Sequence, residues 1–248
     1  MTSTQVLTQI LFTEYEIRNM FTVLSRHRHK LFMLAALGVA SAFCLTMLIA
    51  RFWRMNNSHY GFMLWNLFLA WIPLLGSIIA FRFYERRLFS YLIFPPLAFL
   101  WLLFFPNSPY LVTDLIHLRS ISSVIWWYDV IMFAAFAWTG FFMGFVSLQW
   151  IQDWIAHLFG KVISWVFAFA ALGLSAFGVY LGRFVRWNSW DIFFEPLSLL
   201  GDVWQRVRHP FQYSPAMLFT LLLAGFLFCA YLMLAAYTQL RQEGVEVD

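Results

Sequence analysis

Charge is scarce in this sequence. Only 11% of its 248 residues are Asp, Glu, Lys or Arg, whereas soluble domains carry about 25%. That shortage excludes an ordinary water-soluble globule. Cysteine is scarce too: Cys44 and Cys229 both fall inside apolar runs, where they read as small hydrophobes and not as halves of a bridge. The first thirty residues include Glu14 and Glu16 and lack the basic start, short apolar run and small-residue cleavage site of a signal peptide, so they are expected to be retained. No internal repeat is visible, and there is no H-E-x-x-H, no G-x-S-x-G elbow and no D-D-x-x-D-like acidic pair. The 16 basic residues outnumber the 12 acidic ones, but no basic cluster is interleaved with a soluble fold. Nucleic acid is therefore not an expected partner. Membrane orientation and contact with lipid headgroups account better for the excess.

What the sequence has is apolar length. Hydrophobic residues make up 62% and aromatics 21%, and the mean hydropathy is +0.72. Charge-free apolar runs cover 31–50, 60–81, 88–105, 130–151, 162–181 and 216–237. A span takes roughly 20 residues, so the expected fold is all-α, a polytopic transmembrane bundle of about six helices. The chain then divides into three regions: an amphipathic segment over 1–30, a transmembrane domain over 31–240 and a disordered acidic tail over 241–248. In the first, Val6, Ile10, Ile17, Phe21 and Leu24 form an apolar helical stripe that runs into Arg26-His27-Arg28-His29-Lys30, the pattern of a helix on the membrane surface with an orienting basic flank. The linker 187–214 carries Phe193, Phe194, Leu197, Leu199, Leu200, Val203 and Trp204 beside Asp202, Arg206 and Arg208, which suits an interfacial helix. With the N-terminus cytoplasmic, nine basic residues lie inside and seven outside; this bias, with the cluster before the first span and Arg82/Arg86/Arg87 in a short loop, favours N-in. A bacterial cytoplasmic or thylakoid membrane is the expected location.

The polar residues are not scattered. In 105–118 the sequence FPNSPYLVTDLIHL reads as a helix starting at Ser108 with Pro109 in its first turn. Tyr110, Thr113, Asp114 and His117 then share one face, and Leu111, Leu115 and Leu118 lie on another, expected to meet lipid. Counting spans puts the start of the second, the end of the third, the start of the fourth and the end of the fifth at one membrane face. Asn66, then Asn107, Asp114 and His117, then Tyr128 and Asp129, then Arg183, Arg186, Asn188 and Asp191 sit at those ends. Ionisable groups at membrane depth are costly and usually paired, so Arg183 or Arg186 is the expected counter-ion of Asp114 or Asp129.

Other features read as packing devices. Pro73, Pro95 and Pro96 kink helices. Gly140/Gly144, a G-x-x-x-G pair, and Gly173/Gly178/Gly182 allow close helix approach. Tryptophans at span ends, such as Trp126, Trp127, Trp187 and Trp190, form an interfacial belt. Gln149, Gln152, Asp153 and His157 lie at the opposite face and are expected to be solvated.

Four segments carry a resemblance: 65–73 (WNLFLAWIP), 105–118, Trp127-Tyr128-Asp129, and 180–191 (YLGRFVRWNSWD). Together, and in this order, they resemble a bacterial and cyanobacterial membrane family, domain of unknown function 1361, over about 65–237. The resemblance implies a six- or seven-span membrane protein and supports the choice of site residues; it brings no activity with it.

Two functions compete for the polar cluster. In one it binds or processes an anionic lipid or lipid-linked substrate: Asp114 and His117, with Asp129, act as metal ligands or as a base and its partners, while Asn66, Asn107, Tyr110, Asn188 and the guanidinium forks of Arg183 and Arg186 hold the substrate. Whether a metal takes part is left open, with His209 the other histidine on this face and His59 in a solvated loop. In the other the residues are structural ties: Asp114 with Arg183, Tyr110 with Asn66, and Asn188 or Ser189 as an N-cap. The chain would then be a non-catalytic subunit docking other membrane proteins through its N-terminal helix or the linker 188–213. A transporter fits less well, since the polar groups lie at one face and not at the midplane.

Overall fold

The computed structural model describes residues 30–54, 59–85, 90–120, 126–209 and 211–245. The expected surface helix before Lys30 and the readings on Arg26 to His29, Arg86 and Arg87 lie outside those residues. The chain divides into two compact units at Phe43/Cys44. Of the first, the described part is the opening of α1 (Lys30–Arg54), where Ser41 Oγ donates to Leu37 O at 2.8 Å. The second unit, Cys44–Asp248, holds the rest of α1 and every later helix.

Every described element is helical. After α1 come α2 (Phe62–Glu85), α3 (Ser90–Phe104), α4 (Asn107–Thr113) with a 3₁₀ turn over Asp114–Ser120, and α5 (Trp126–Phe159). The chain continues through α6 (Lys161–Tyr180) with a π turn over Leu181–Val185, the short α7 (Asp191–Phe194), α8 (Pro196–Arg208) and α9 (Ser214–Val245). Among the described residues six stretches are long and apolar enough to cross a membrane: Lys30–Arg54, Phe62–Ala80, Pro95–Leu118, Trp126–Phe159, Lys161–Val185 and Ser214–Thr238. α9 runs to Val245, so 241–245 are helical where composition alone suggests a disordered tail.

α5 is the axis of the second unit. Its 34 residues extend about 51 Å at 1.5 Å per residue, well beyond a hydrocarbon core of about 30 Å. Met132, Phe133, Phe136, Met143, Leu148 and Ile151 along it are buried, and α2, α4 and α6 pack on it. Lipid tails are as apolar as leucine, so close fit and internal hydrogen bonds, not hydrophobicity, must hold such helices together. Both are present. A Cβ on Gly140 would lie 2.7 Å from Ser108 O, one on Gly144 3.0 Å from Ser108 Cβ, and one on Gly178 2.7 Å from Pro106 Cγ. The glycines of α5 and α6 thus form the bed on which the Pro106–Leu111 segment lies. Gly173 is different: no described atom comes within 4 Å of its Cβ position, so it is no packing contact. A buried hydrogen-bond chain ties three spans, with Trp101 Nε1 donating to Ser147 Oγ at 2.5 Å and Ser147 Oγ to Pro73 O at 3.0 Å.

Three expectations are corrected. The third span does not stop at Phe105 but continues to Leu118. Pro106 adopts helical φ −58° and ψ −23°, and because Pro109 has no N–H to offer Phe105 O, Ser108 N takes that carbonyl at 3.2 Å; the helix is interrupted after Phe104 and resumes at Asn107. Leu111 does not meet lipid: it is fully buried against Gly140. Gln152 is not solvated either, since it is buried and accepts the Tyr231 hydroxyl, which lets a polar side chain sit in the core at the opposite end. Asp153 and His157 are exposed.

Candidate functional site

Arg183 is the hub of the polar end. α6 closes in a π turn, the kind of bulge that re-aims a side chain, and the turn is terminated by Arg186 in the left-handed region at φ 69°, with Trp187 N bonded back to Leu181 O at 3.1 Å. This presents Arg183 to the stripe of α4 and its 3₁₀ extension. Its Nε donates to Thr113 Oγ1 at 3.0 Å, one Nη pairs with the Asp114 carboxylate, the other donates to His117 Nε2 at 3.2 Å, and the guanidinium carbon lies 4.3 Å from the centroid of the Tyr110 ring. Tyr110, Thr113, Asp114 and His117, the face read from spacing alone, all converge on one cation. Since a guanidinium only donates, Nε2 of His117 is the acceptor and the imidazole carries its proton on Nδ1.

Asp114 is buried. Its second oxygen accepts Asn66 Nδ2 at 2.9 Å, so the partner of Asn66 is Asp114 and not Tyr110. Asn107 turns the other way: its Nδ2 donates to Phe104 O at 2.9 Å and to Ser189 Oγ at 3.0 Å, linking α4 to the segment after α6. Asn188 and Ser189 do not cap a helix. Asp191 Oδ2 instead accepts the Asn188 backbone N–H at 2.6 Å, which folds the turn into α7.

Asp129 belongs to a second ion pair. It is buried and accepts Arg51 Nε at 2.5 Å and Nη2 at 3.1 Å, a bidentate fork. The counter-ion thus comes from the last turn of α1, not from Arg183 or Arg186. Arg51 reads in sequence as one of several flanking cations at a span end, with nothing to set it apart from Arg54. Beside this pair, Tyr128 Oη donates to Met47 O at 2.7 Å and the Tyr60 ring lies 5.3 Å from the Arg51 guanidinium carbon. Burial, and then the Asp129 carboxylate, push the Tyr60 phenol above its ordinary value, so it stays protonated. Rings connect the two pairs: Tyr60 meets Phe62 edge-on at 6.4 Å, and Phe62 lies 4.9 Å from His117. Arg186 is exposed. Among the described residues no three His, Cys, Asp or Glu side chains come together as a metal cluster.

Next to the Arg183 hub opens a cavity of about 340 Å³. Its flank is apolar, with Leu69, Phe99, Leu103, Leu174 and Phe177, and α8 closes it with Leu199 and Val203. Its polar end holds Asn66, Asn107, Tyr110, Asn188 and Ser189, framed by Trp65, Trp187 and Trp190. None of the described lining residues is charged. Phe99 and Leu174 are half-exposed on the outer surface of the bundle, so the cavity opens sideways, toward lipid. Trp187 Nε1 donates to Asp202 of α8 at 2.8 Å and holds that helix against the opening.

Fold and site together define a polytopic all-α membrane protein whose ion-paired polar end walls a laterally open cavity. The chain belongs to the family described as protein of unknown function (DUF1361), whose profile matches residues 65–231. No curated protein and no solved structure matches it.

Proposed function

We propose that this protein binds a membrane amphiphile, a lipid or lipid-linked substrate, in the cavity between α3/α4, α6 and α8. The cavity itself carries the reading: an apolar flank open to the bilayer for a hydrocarbon chain, and one end of amides and hydroxyls for a polar part, the usual composition of a small-molecule site. The Asn107 amide N–H groups are spent on Phe104 O and Ser189, and Asn66 gives one of its own to Asp114. These two amides thus have chiefly their acceptor oxygens left, which suits a polar part bearing hydroxyl donors. Arg183 is engaged by four partners within the protein and does not line the cavity. In this reading Asp114, His117 and Asp129 are positioning residues: Asp114 and His117 hold the ends of α2, α4 and α6 together, and Asp129 holds the start of α5 to the end of α1.

The test is purification from native membranes in mild detergent, followed by mass spectrometry of the lipids in the protein peak. Leu103→Trp and Leu174→Trp fill the cavity from its apolar flank. One lipid class enriched over the bulk membrane with the wild type, and lost from both variants, is the expected result. A retained lipid profile that equals the bulk membrane, or that neither substitution alters, would overturn the reading.

A further inference from the structure

A second cavity, of about 150 Å³, lies where α8 meets the start of α9 and the side of α6. Arg206, Tyr213 and Thr220 are its polar lining residues, and Phe177, Met217 and Leu221 give most of its apolar surface. Two polar atoms of these lining residues stand out. Arg206 Nε and Thr220 Oγ1 are buried and have no hydrogen-bond partner among the described residues. An unsatisfied buried donor forfeits its hydration and gains nothing in return, so such atoms are seldom left alone. Finding two in one small cavity points to a group supplied from outside the chain.

The chemistry of that group is constrained from three sides. A guanidinium N–H only donates, so the group must accept. Within the protein Arg206 Nη1 donates to Asp202 O at 2.8 Å and lies 3.4 Å from Asp202 Oδ1, and the Tyr213 ring is 5.1 Å from the guanidinium carbon; the other Asp202 oxygen is taken by Trp187, and Nε is left over. Burial pulls the Arg206 guanidinium down, yet its hydrogen bond with Tyr180 and the Asp202 carboxylate more than offset this, and the net shift is upward; the side chain stays charged. Finally, α8 displays Leu197, Leu200, Trp204 and Val207 on its exposed side, the pattern of a helix lying at the level of the lipid headgroups. Leu218, Leu221 and Leu222 of α9 continue below as exposed apolar surface, suited to an acyl chain.

We infer that the cavity between α8, α9 and α6 seats the phosphate of an anionic phospholipid, with Arg206 Nε–H and the Thr220 hydroxyl as its donors and the acyl chains along α9. The site is separate from the amphiphile cavity and does not depend on it. A charged fork together with a hydroxyl is a common donor set for a phosphate oxyanion, and the apolar remainder of the lining favours a phosphate that arrives on a lipid.

The experiment uses the full chain in nanodiscs of phosphatidylcholine with a minor fraction of phosphatidylglycerol, released into native mass spectrometry. Wild-type protein is expected to retain phosphatidylglycerol in excess of its share. Arg206→Gln should abolish the excess, Thr220→Val, nearly the same shape, should weaken retention about tenfold, the value of one hydrogen bond to a charged group, and Arg208→Gln, an exposed neighbour, should change nothing. Inorganic phosphate at millimolar concentration should not compete. Equal retention in wild type and Thr220→Val, with both proteins melting alike, would overturn the inference. So would full displacement by inorganic phosphate, which would make this a site for the free anion.

Discussion

At the scale of single residues, the Asp114–Arg183 pair decides between a tie and a reactive group. Both side chains are nearly out of solvent, 1% and 12% exposed. Removing one member of a buried pair leaves the other charge uncompensated and costs about 3–5 kcal/mol, whereas removing both is far milder. Asp114→Asn and Arg183→Met should therefore each lower the unfolding transition in mild detergent, and the double variant should fall short of their sum by at least about 1 kcal/mol. An Asp114→Asn protein that melts like the wild type and only loses a function would instead mark Asp114 as a reactive group. Arg186 permits a sharper test. Its φ of 69° is a conformation that glycine adopts without strain, and its side chain is exposed. Arg186→Gly is expected to be neutral or stabilising by up to about 1 kcal/mol in the same melting assay. If the glycine protein melts normally but retains less lipid, the guanidinium takes part in binding.

The stripe Tyr110, Thr113, Asp114, His117 is legible in the sequence because helical spacing survives a change from α to 3₁₀ geometry well enough to keep four residues on one side. Counting spans narrows its partner to Arg183 or Arg186 but does not choose between them. The choice depends on the π turn after Tyr180, which rotates one arginine inward and leaves the other out. Arg51 escapes a reading of the sequence for a related reason. Its context is that of an orienting flank, and only the packing of α1's end on α5 brings it to Asp129.

At the scale of elements, the fold depends on how closely Pro106–Leu111 lies on α5 and α6. Gly140→Ala and Gly178→Ala would each place a methyl within 3 Å of backbone or a rigid ring, so each should destabilise by about 1–3 kcal/mol. Gly173→Ala, with nothing within 4 Å, should be neutral or gain from helix propensity. Thermal unfolding of the three side by side checks the pattern; a Gly173→Ala loss as large as the others would mean that the close approach is not what these glycines serve. The sequence indicates that small residues matter here but does not say which face of α6 they serve, because a lipid-facing glycine and a buried one have the same neighbours in the chain. The end of the third span is hidden by its own chemistry. Two prolines and the polar Asn107, Ser108, Thr113, Asp114 and His117 lower the hydropathy after Phe105 and read as an exit from the membrane, yet Arg183, Asn66, Ser189 and Ala70 O satisfy that polarity internally, and the segment remains part of the span.

At the scale of the whole molecule, six spans imply an arrangement that labelling can check. The end of α2, the α5–α6 junction at Gly160 and the end of α9 share one side. The polar end, the cavity and α8 belong to the other. With nine basic residues on the first side against seven on the other, the first side is expected to be cytoplasmic. With Cys44 and Cys229 replaced by alanine, single cysteines at Ser189, at the polar end, and at His157, exposed near the end of α5, should behave oppositely toward a membrane-impermeant maleimide. Ser189→Cys should react in intact cells, and His157→Cys only after permeabilisation. The reverse pattern would keep six spans and invert the protein, so that the amphiphile cavity and the Arg206 site would face cytoplasmic-leaflet lipids, where anionic headgroups are concentrated in many membranes. Reaction of both from the same side would remove a span between them and break the geometry on which both sites depend, because α5 and α6 could not then run antiparallel through the bilayer.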